Sequence, residues 1–212
     1  MQKDIGQFKN ELSELLRDVL PGTEAHRLLE PPTRKNFPEK PRRNARHSSV
    51  LILIYPKSGA YHTITILRPQ YDGVHSGQIS FPGGQFEEGD ESLLFTALRE
   101  TQEEIGVEIS REQIIGKLSD IYIPPSNFLV TPYVAVISKV PEMKKDSFEV
   151  EKLIEVSLQD IIHPDAIVRK NLNLEKYGNV HVPCFFVDDQ VIWGATAMIM
   201  SELRTILSRI FK

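Results

Sequence analysis

A chain of 212 residues is long enough to bury a substantial core as one large domain with an added arm, and 41% hydrophobic against 25% charged residues exclude a disordered chain. The formal net charge of -4 argues against a general nucleic-acid or membrane-surface binder. The single cysteine, Cys184, excludes an intrachain disulfide and suits a reducing compartment as a buried structural thiol.

Ile5, Phe8, Leu12, Leu15, Leu16 and Val19 recur at helical spacing and predict an amphipathic helix of about five turns, stopped by Pro21-Gly22. Residues 30–46 hold Pro31-Pro32, Pro38, Pro41 and Arg42-Arg43 and read as an irregular wrap whose basic residues could touch a substrate phosphate. The helix and wrap, residues 1–45, are expected to form an arm on a domain spanning 46–212. Val50-Leu51-Ile52-Leu53-Ile54-Tyr55 is continuously apolar and predicts a central strand. A turn at Pro56-Lys57-Ser58-Gly59 joins it to the β-branched run Thr63-Ile64-Thr65-Ile66-Leu67, so a hairpin is expected, ending at Arg68-Pro69 before a loop over 70–80.

The stretch 81–107 carries the chemistry. If residues 92–105 are helical, Leu94, Ala97, Leu98, Thr101 and Ile105 gather on one buried face. Glu100, Glu103 and Glu104 then converge on the far side as i, i+3 and i+4 neighbours. Like charges at that spacing weaken an isolated helix, and a hard divalent cation such as Mg²⁺ would relieve them. The alternative is a solvated acidic face in which Arg99 pairs with Glu103. Beyond this helix, 114–123 and 129–137 read as strands joined by a turn at Pro124-Pro125-Ser126-Asn127. Lys144-Lys145-Asp146 is a loop tip, 150–156 a strand, and 158–162 one helical turn stopped by His163-Pro164. Residues 179–187 read as a strand, Gln190-Val191-Ile192-Trp193 begins the next element, and 194–210 reads as a long closing helix. Strands and helices alternate without an internal repeat, which predicts an α/β sandwich. No apolar run reaches membrane-spanning length, the first residues lack a signal-peptide core, and Ile210-Phe211-Lys212 is no peroxisomal signal, so a cytoplasmic location is expected.

Gly84, six intervening residues, Glu91, seven more, and then Arg99-Glu100-Thr101-Gln102-Glu103-Glu104-Ile105-Gly106-Val107 resembles the signature of the Nudix hydrolases, in which five residues normally separate the glycine from the first glutamate. The extra residue is similar to the coenzyme A pyrophosphatase branch of that family. So are Arg68, His75, Gly77-Gln78-Ile79-Ser80-Phe81-Pro82-Gly83-Gly84, Thr131-Pro132 and Ile192-Trp193-Gly194-Ala195-Thr196-Ala197. The likeness spans roughly residues 46–207. It departs at Gly73, where the branch usually has a second arginine, and at Ile66, where it usually has a threonine.

The resemblance implies a Nudix-type α/β/α sandwich with a mixed sheet and an extra amino-terminal helix. It implies an enzyme that uses Mg²⁺ or Mn²⁺ to hydrolyse the diphosphate linkage of coenzyme A or its derivatives, giving 3′,5′-ADP and 4′-phosphopantetheine. Metals suit that chemistry because they neutralise charge on phosphoryl oxygens and lower the pKa of bound water. Glu100 and Glu104 are the expected metal ligands, with Glu103 a third ligand or an orienting group. Arg99 is expected to orient a carboxylate, with Glu91 as its salt-bridge mate. Gly83 and Gly84 allow close backbone approach, and a glycine carbonyl there could reach the metal. Arg68 and His75 are expected to meet the substrate. The general base is Glu103 or a later carboxylate, Glu149 or Glu151, and Trp193 either stacks on a base or belongs to the core. ADP-ribose or another dinucleotide is the alternative substrate, kept open by Gly73, and a catalytically silent nucleotide sensor is the alternative from another class. No nucleic-acid or membrane partner is expected, and the first and last helices are both surfaces suited to a homodimer.

Overall fold

The computed structural model describes residues 3–38, 40–73 and 75–211; the outermost residues of both chain ends, read above for targeting signals, lie outside the described residues. Helix α1 (Ile5–Arg17) is capped by Asp4, whose Oδ1 accepts from the Gly6 and Gln7 amides at 2.8 and 3.3 Å. It ends at Arg17, short of the five turns expected, and Val19 beyond it is 92% exposed. Pro21-Gly22 therefore does not stop that helix; Gly22 instead begins a second one, α2 (Gly22–Arg27), and the proline-rich wrap holds a 3₁₀ turn at Pro32–Asn36.

The hairpin expected from the sequence forms between β1 (Arg46–Lys57) and β2 (Ala60–Leu67), turning at Ser58 and Gly59, which both have positive φ. Two short strands, β3 (Ile79–Ser80) and β4 (Gly83–Gln85), lead into the acidic helix α3 (Leu93–Ile105). Then come β5 (Ile114–Lys117), β6 (Ile121–Ile123), β7 (Phe128–Val136), β8 (Lys152–Ser157) and the short helix α4 (Leu158–Ile162). The chain closes with β9 (Ile167–Leu174), β10 (Gly178–Val187), β11 (Gln190–Ile192) and the long helix α5 (Gly194–Ile210).

β1 is the axis of a mixed sheet, parallel to β7 on one edge and antiparallel to β2 and β4 on the other. Its continuous apolar run reflects burial on both faces. Leu51, Leu53 and Tyr55 pack with Ala97 and Ile105 of α3, while Ile52 and Ile54 pack with Phe8 and Leu12 of α1 and Leu203 of α5. Each such side chain, fully buried, contributes about 1.5–3 kcal/mol. The result is the expected α/β/α sandwich with a mixed sheet. On the α1 side, the Phe8 and Tyr61 rings stack with centroids 4.2 Å apart, and the Tyr61 hydroxyl donates to the Lys3 carbonyl at 2.8 Å.

One departure in the sheet positions the site. If the β1–β2 register continued from Ile54↔Thr63, Leu51 would face Ile66. Instead the strands part, Ile66 pairs with Ser80, and Val50 pairs with Gly83. Residues 79–85 therefore run from β2 across to β1, beneath α3.

Two other expectations change. Residues 114–123 form two strands, because the chain turns out at Ser119 and Asp120: Ser119 donates to Glu202, and Asp120 Oδ1 accepts from the Thr131 hydroxyl at 2.8 Å. β9 was not expected from Arg169, Lys170, Asn171 and Asn173, and it forms as the hairpin partner of β10. In that second sheet, of order β11-β10-β9, Cys184 is fully buried as expected.

A buried carboxylate ties the helices together. Glu202 on α5 has no exposed surface, and it accepts from Gly22 N at 3.0 Å, Ser119 Oγ at 2.7 Å and Ser119 N at 3.2 Å, with His26 Nε2 at 3.0 Å. Burial alone would raise its pKa, but the hydrogen bonds from His26 and Ser119 outweigh that and hold it below the ordinary value. Glu202→Ala leaves buried His26 and the half-buried Gly22 and Ser119 donors without their partner, so urea denaturation should show a loss of about 3 kcal/mol.

Candidate active site

Helix α3 begins at Ser92, whose hydroxyl accepts from the Phe95 amide at 3.2 Å, and ends at Gly106 in the left-handed conformation, a glycine C-cap. Its buried positions are Thr96, Ala97, Thr101, Glu104 and Ile105, with Leu94 and Leu98 only half-buried. Glu104 is therefore not on the far side of the helix. It is 1% exposed and faces the crossing segment, where its Oε2 accepts from Gly83 N at 2.8 Å.

The crossing segment is shaped for this contact. Gly83 has φ +152°, and a Cβ there would lie 2.2 Å from the Ser49 carbonyl oxygen. At Gly84 a Cβ would meet the Glu100 carboxylate at 2.3 Å, so only glycine lets that carboxylate lie against the strand. Arg68 is the counter-charge. Its Nη2 donates to the Gly83 carbonyl at 3.0 Å and lies 3.5 Å from Glu104 Oε1, while its Nε donates to Ser80 Oγ at 3.2 Å.

Burial pushes the Glu104 carboxyl up from 4.5 to about 8, against the pull of Arg68 and the Gly83 amide and with the repulsion of Glu100 and Glu149. Glu100 is raised by burial as well, opposed by Arg99 and reinforced by Glu103 and Glu149. Carboxylate oxygens of Glu100, Glu104 and Glu149 all lie within 4.8 Å of one another. Three carboxylates this close repel one another, and an all-oxygen donor set suits a hard divalent cation. The residues present fit such a metal.

Of the three glutamates expected to converge, Glu100 and Glu104 do so. Glu103, with 53% of its side chain exposed, turns away and accepts from Arg99 Nη1 at 2.8 Å, which is the pairing of the solvated-face alternative. Glu149, one of the two later carboxylates singled out, completes the cluster; Glu151 is exposed and donates its amide to the Leu67 carbonyl. Arg99 lies against a carboxylate of the cluster, with Nη1 3.0 Å from Glu100 Oε1.

Its main partner is not Glu91. Arg99 grips Asp90 through two bonds, Nε to Oδ1 at 2.9 Å and Nη2 to Oδ2 at 3.1 Å, whereas Glu91 points outward to Arg111. Asp90 is buried and also accepts from Thr96 Oγ1 and the Glu87 amide. These bonds, Arg99 first, hold its carboxyl at about 2, below the ordinary carboxylate range. Five residues lie between Gly84 and Asp90, the usual signature spacing, so the extra residue falls between Asp90 and Arg99. A signal was present in the adjacent pair Asp90-Glu91 just before the cap Ser92, where only the first acid precedes the helix by enough to fold back on it.

His75 sits in the loop before the crossing segment with φ +77° and Nδ1 3.0 Å from Gln78 Oε1; burial lowers its pKa, the Gln78 bond opposing. Trp193 stands at the N-cap position of α5 without a side-chain capping bond and is half-buried. At the start of that helix, Thr196 Oγ1 donates to the Ile79 carbonyl at 2.8 Å and so braces the crossing segment from the other face of the sheet.

A family model described as NUDIX domain matches residues 45–175. The uncharacterized Nudix hydrolase NudL of Photorhabdus laumondii is 31% identical over 171 residues, 79% of this chain and 89% of that protein. NudL of Yersinia enterocolitica is 32% identical over 161 residues, 76% of this chain and 80% of that one. Among solved structures, a MutT/nudix family protein from Enterococcus faecalis is similar in fold, with a TM-score of 0.53 at 16% identity, covering 100% of this chain and 76% of that chain.

Because Glu104 holds its proton more tightly folded than unfolded, its contribution to the stability of the metal-free protein is fully present below the ordinary 4.5 and is lost as pH rises through about 8. His75 acts in the opposite sense only below its ordinary 6.5, so a window of about pH 7–8 isolates the carboxyl. Urea midpoints of the metal-free protein should fall across that window, and Glu104→Gln should flatten the slope.

Proposed function

The chain belongs to the Nudix hydrolase family and is a diphosphatase, and from that premise we propose that it hydrolyses coenzyme A or a coenzyme A derivative at the diphosphate linkage. Water adds to one phosphorus, the anhydride P–O bond breaks, and the products are 3′,5′-ADP and 4′-phosphopantetheine. The observation that carries this reading is the way residues 77–84, the stretch that resembles the coenzyme A branch, are built into the carboxylate site: Gly83 binds Glu104 through its amide and Arg68 through its carbonyl.

In this proposal Glu100, Glu104 and Glu149 hold a divalent cation, Mg²⁺ or Mn²⁺, and Nudix hydrolases generally need such ions. When bound, the cation draws charge from the phosphoryl oxygens and lowers the pKa of water. Arg99, fixed by Asp90, holds Glu100 in register with Glu104, and Glu103 orients the Arg99 guanidinium, one of the two roles its spacing allowed. Arg68 carries two tasks. It neutralises Glu104 from the inside, and with 27% of its side chain exposed it presents positive charge to the substrate's phosphates at the mouth. His75, neutral at physiological pH, orders the loop through Gln78 beside that mouth.

A second reading keeps the chemistry and takes ADP-ribose or another dinucleotide as substrate. Gly73 favours it, because the branch's second arginine is absent there.

The pure protein with Mg²⁺ or Mn²⁺, offered coenzyme A, acyl-coenzyme A, ADP-ribose and dinucleotides, should show a kcat/KM for coenzyme A or its acyl form about tenfold or more above the rest, a difference of roughly 1.4 kcal/mol in transition-state binding. Equal rates across the panel would defeat the coenzyme A reading and leave the diphosphatase. Glu100→Gln and Glu104→Gln should each lower kcat by about 10²–10³, the scale expected when one preorganised electrostatic group is lost.

A further inference from the structure

Glu149 is exposed, and it lies in the connection between β7 and β8 rather than on the helix that carries Glu100 and Glu104. A carboxylate on a loop meets two others at a fixed point only if the loop backbone is held. The bonds that hold it converge on Asp146. Its Oδ1 accepts from the Phe148 amide at 2.7 Å and the Glu149 amide at 2.9 Å, a side-chain turn that sets the backbone entering Glu149. Its own amide donates to the Glu104 carbonyl at 2.9 Å, and Lys144 N donates to the Ile105 carbonyl at 2.9 Å. The loop thus satisfies carbonyls at the end of α3 that have no partner within the helix. On the far side, Val150 N donates to the Asp146 carbonyl at 3.2 Å, and Lys145 Nζ donates to the carbonyls of Val150 and Glu151 at 3.0 and 2.6 Å.

We propose that Asp146 is a positioning residue: its carboxylate fixes the Glu149 backbone while its amide clamps the loop to the residue that carries the Glu104 carboxylate. The inference rests on the reading of Glu100, Glu104 and Glu149 as a cation site, and it concerns how the third of them is brought there. The aspartate lies one bond network away from any ligand, and its effect passes through Glu149.

The test is Mn²⁺ affinity of the full-length, metal-stripped protein, measured by calorimetry. Asp146→Ala should weaken Mn²⁺ binding about tenfold, the lower end of what loss of an outer-shell partner costs. Asp146→Asn keeps an Oδ1 acceptor and should restore binding to within about twofold of the wild type. In a Glu149→Gln background, Asp146→Ala should add nothing further, because the group it positions is gone. A loss of equal size in that background, or no loss in Asp146→Ala while Glu149→Gln weakens binding, overturns the positioning role and leaves the cation site standing. Unchanged affinity in Glu104→Gln and Glu149→Gln alike overturns the cation site itself. Hydrogen exchange on the unmutated metal-free protein gives a readout independent of any variant: the Phe148 and Glu149 amides should be protected, and exchange at the unprotected rate would also sink the proposal.

Discussion

A carboxylate with almost no access to water has to be answered within the protein, and the surroundings of Glu104 are arranged around that need. Desolvation costs the ionised group several kcal/mol, and no single neighbour offsets it. The Gly83 amide and the Arg68 guanidinium do so jointly, and each requires something further of the chain. The amide must point at the helix, which demands a backbone conformation and closeness to β1 that only glycine allows. The guanidinium must be held at a strand end, which Ser80 and the Gly83 carbonyl accomplish. Even so the compensation is incomplete, since the carboxyl stays well above its ordinary value. That residual cost is a standing preference for positive charge at the cluster, built in before any cation arrives.

The sheet supplies the geometry for this. Where β2 parts from β1, an opening is left on one edge of the axis strand, and the crossing segment fills it with its glycines under α3. The site therefore stands on regular structure at three of its sides: a strand of the sheet, the helix above it, and the brace from Thr196 below. Only Glu149 comes from a loop, and that loop is bonded to the helix end.

Much of this was legible in the residues. The apolar run of β1, the hairpin, the span of α3 and the closing helix follow from periodicity and capping, and the signature identifies the carboxylates on the helix. What periodicity could not resolve was rotation and partnership. Three glutamates at i, i+3 and i+4 spread over about 100° around a helix, enough for one to be buried while another is free, and the choice depends on Gly83, which is remote in sequence. Asp90 and Glu91 are interchangeable by composition, and the fold separates them by which way each faces from the turn before Ser92. Asp146 had no signal beyond a loop tip, since its role depends on a carbonyl contributed by another element.

β9 carries no strand signal in its residues, because Arg169, Lys170, Asn171 and Asn173 are poor strand formers. Among the described residues it is also the outer strand of its sheet, pairing with β10 on one side only. A free row of backbone donors and acceptors invites another chain to add to it, and lysine and arginine along such a margin make that addition unfavourable by charge repulsion and desolvation. The composition that hid the strand from sequence analysis is thus what protects the folded molecule against self-association there, and replacing those cations with threonine or valine would yield a better strand and a more aggregation-prone protein.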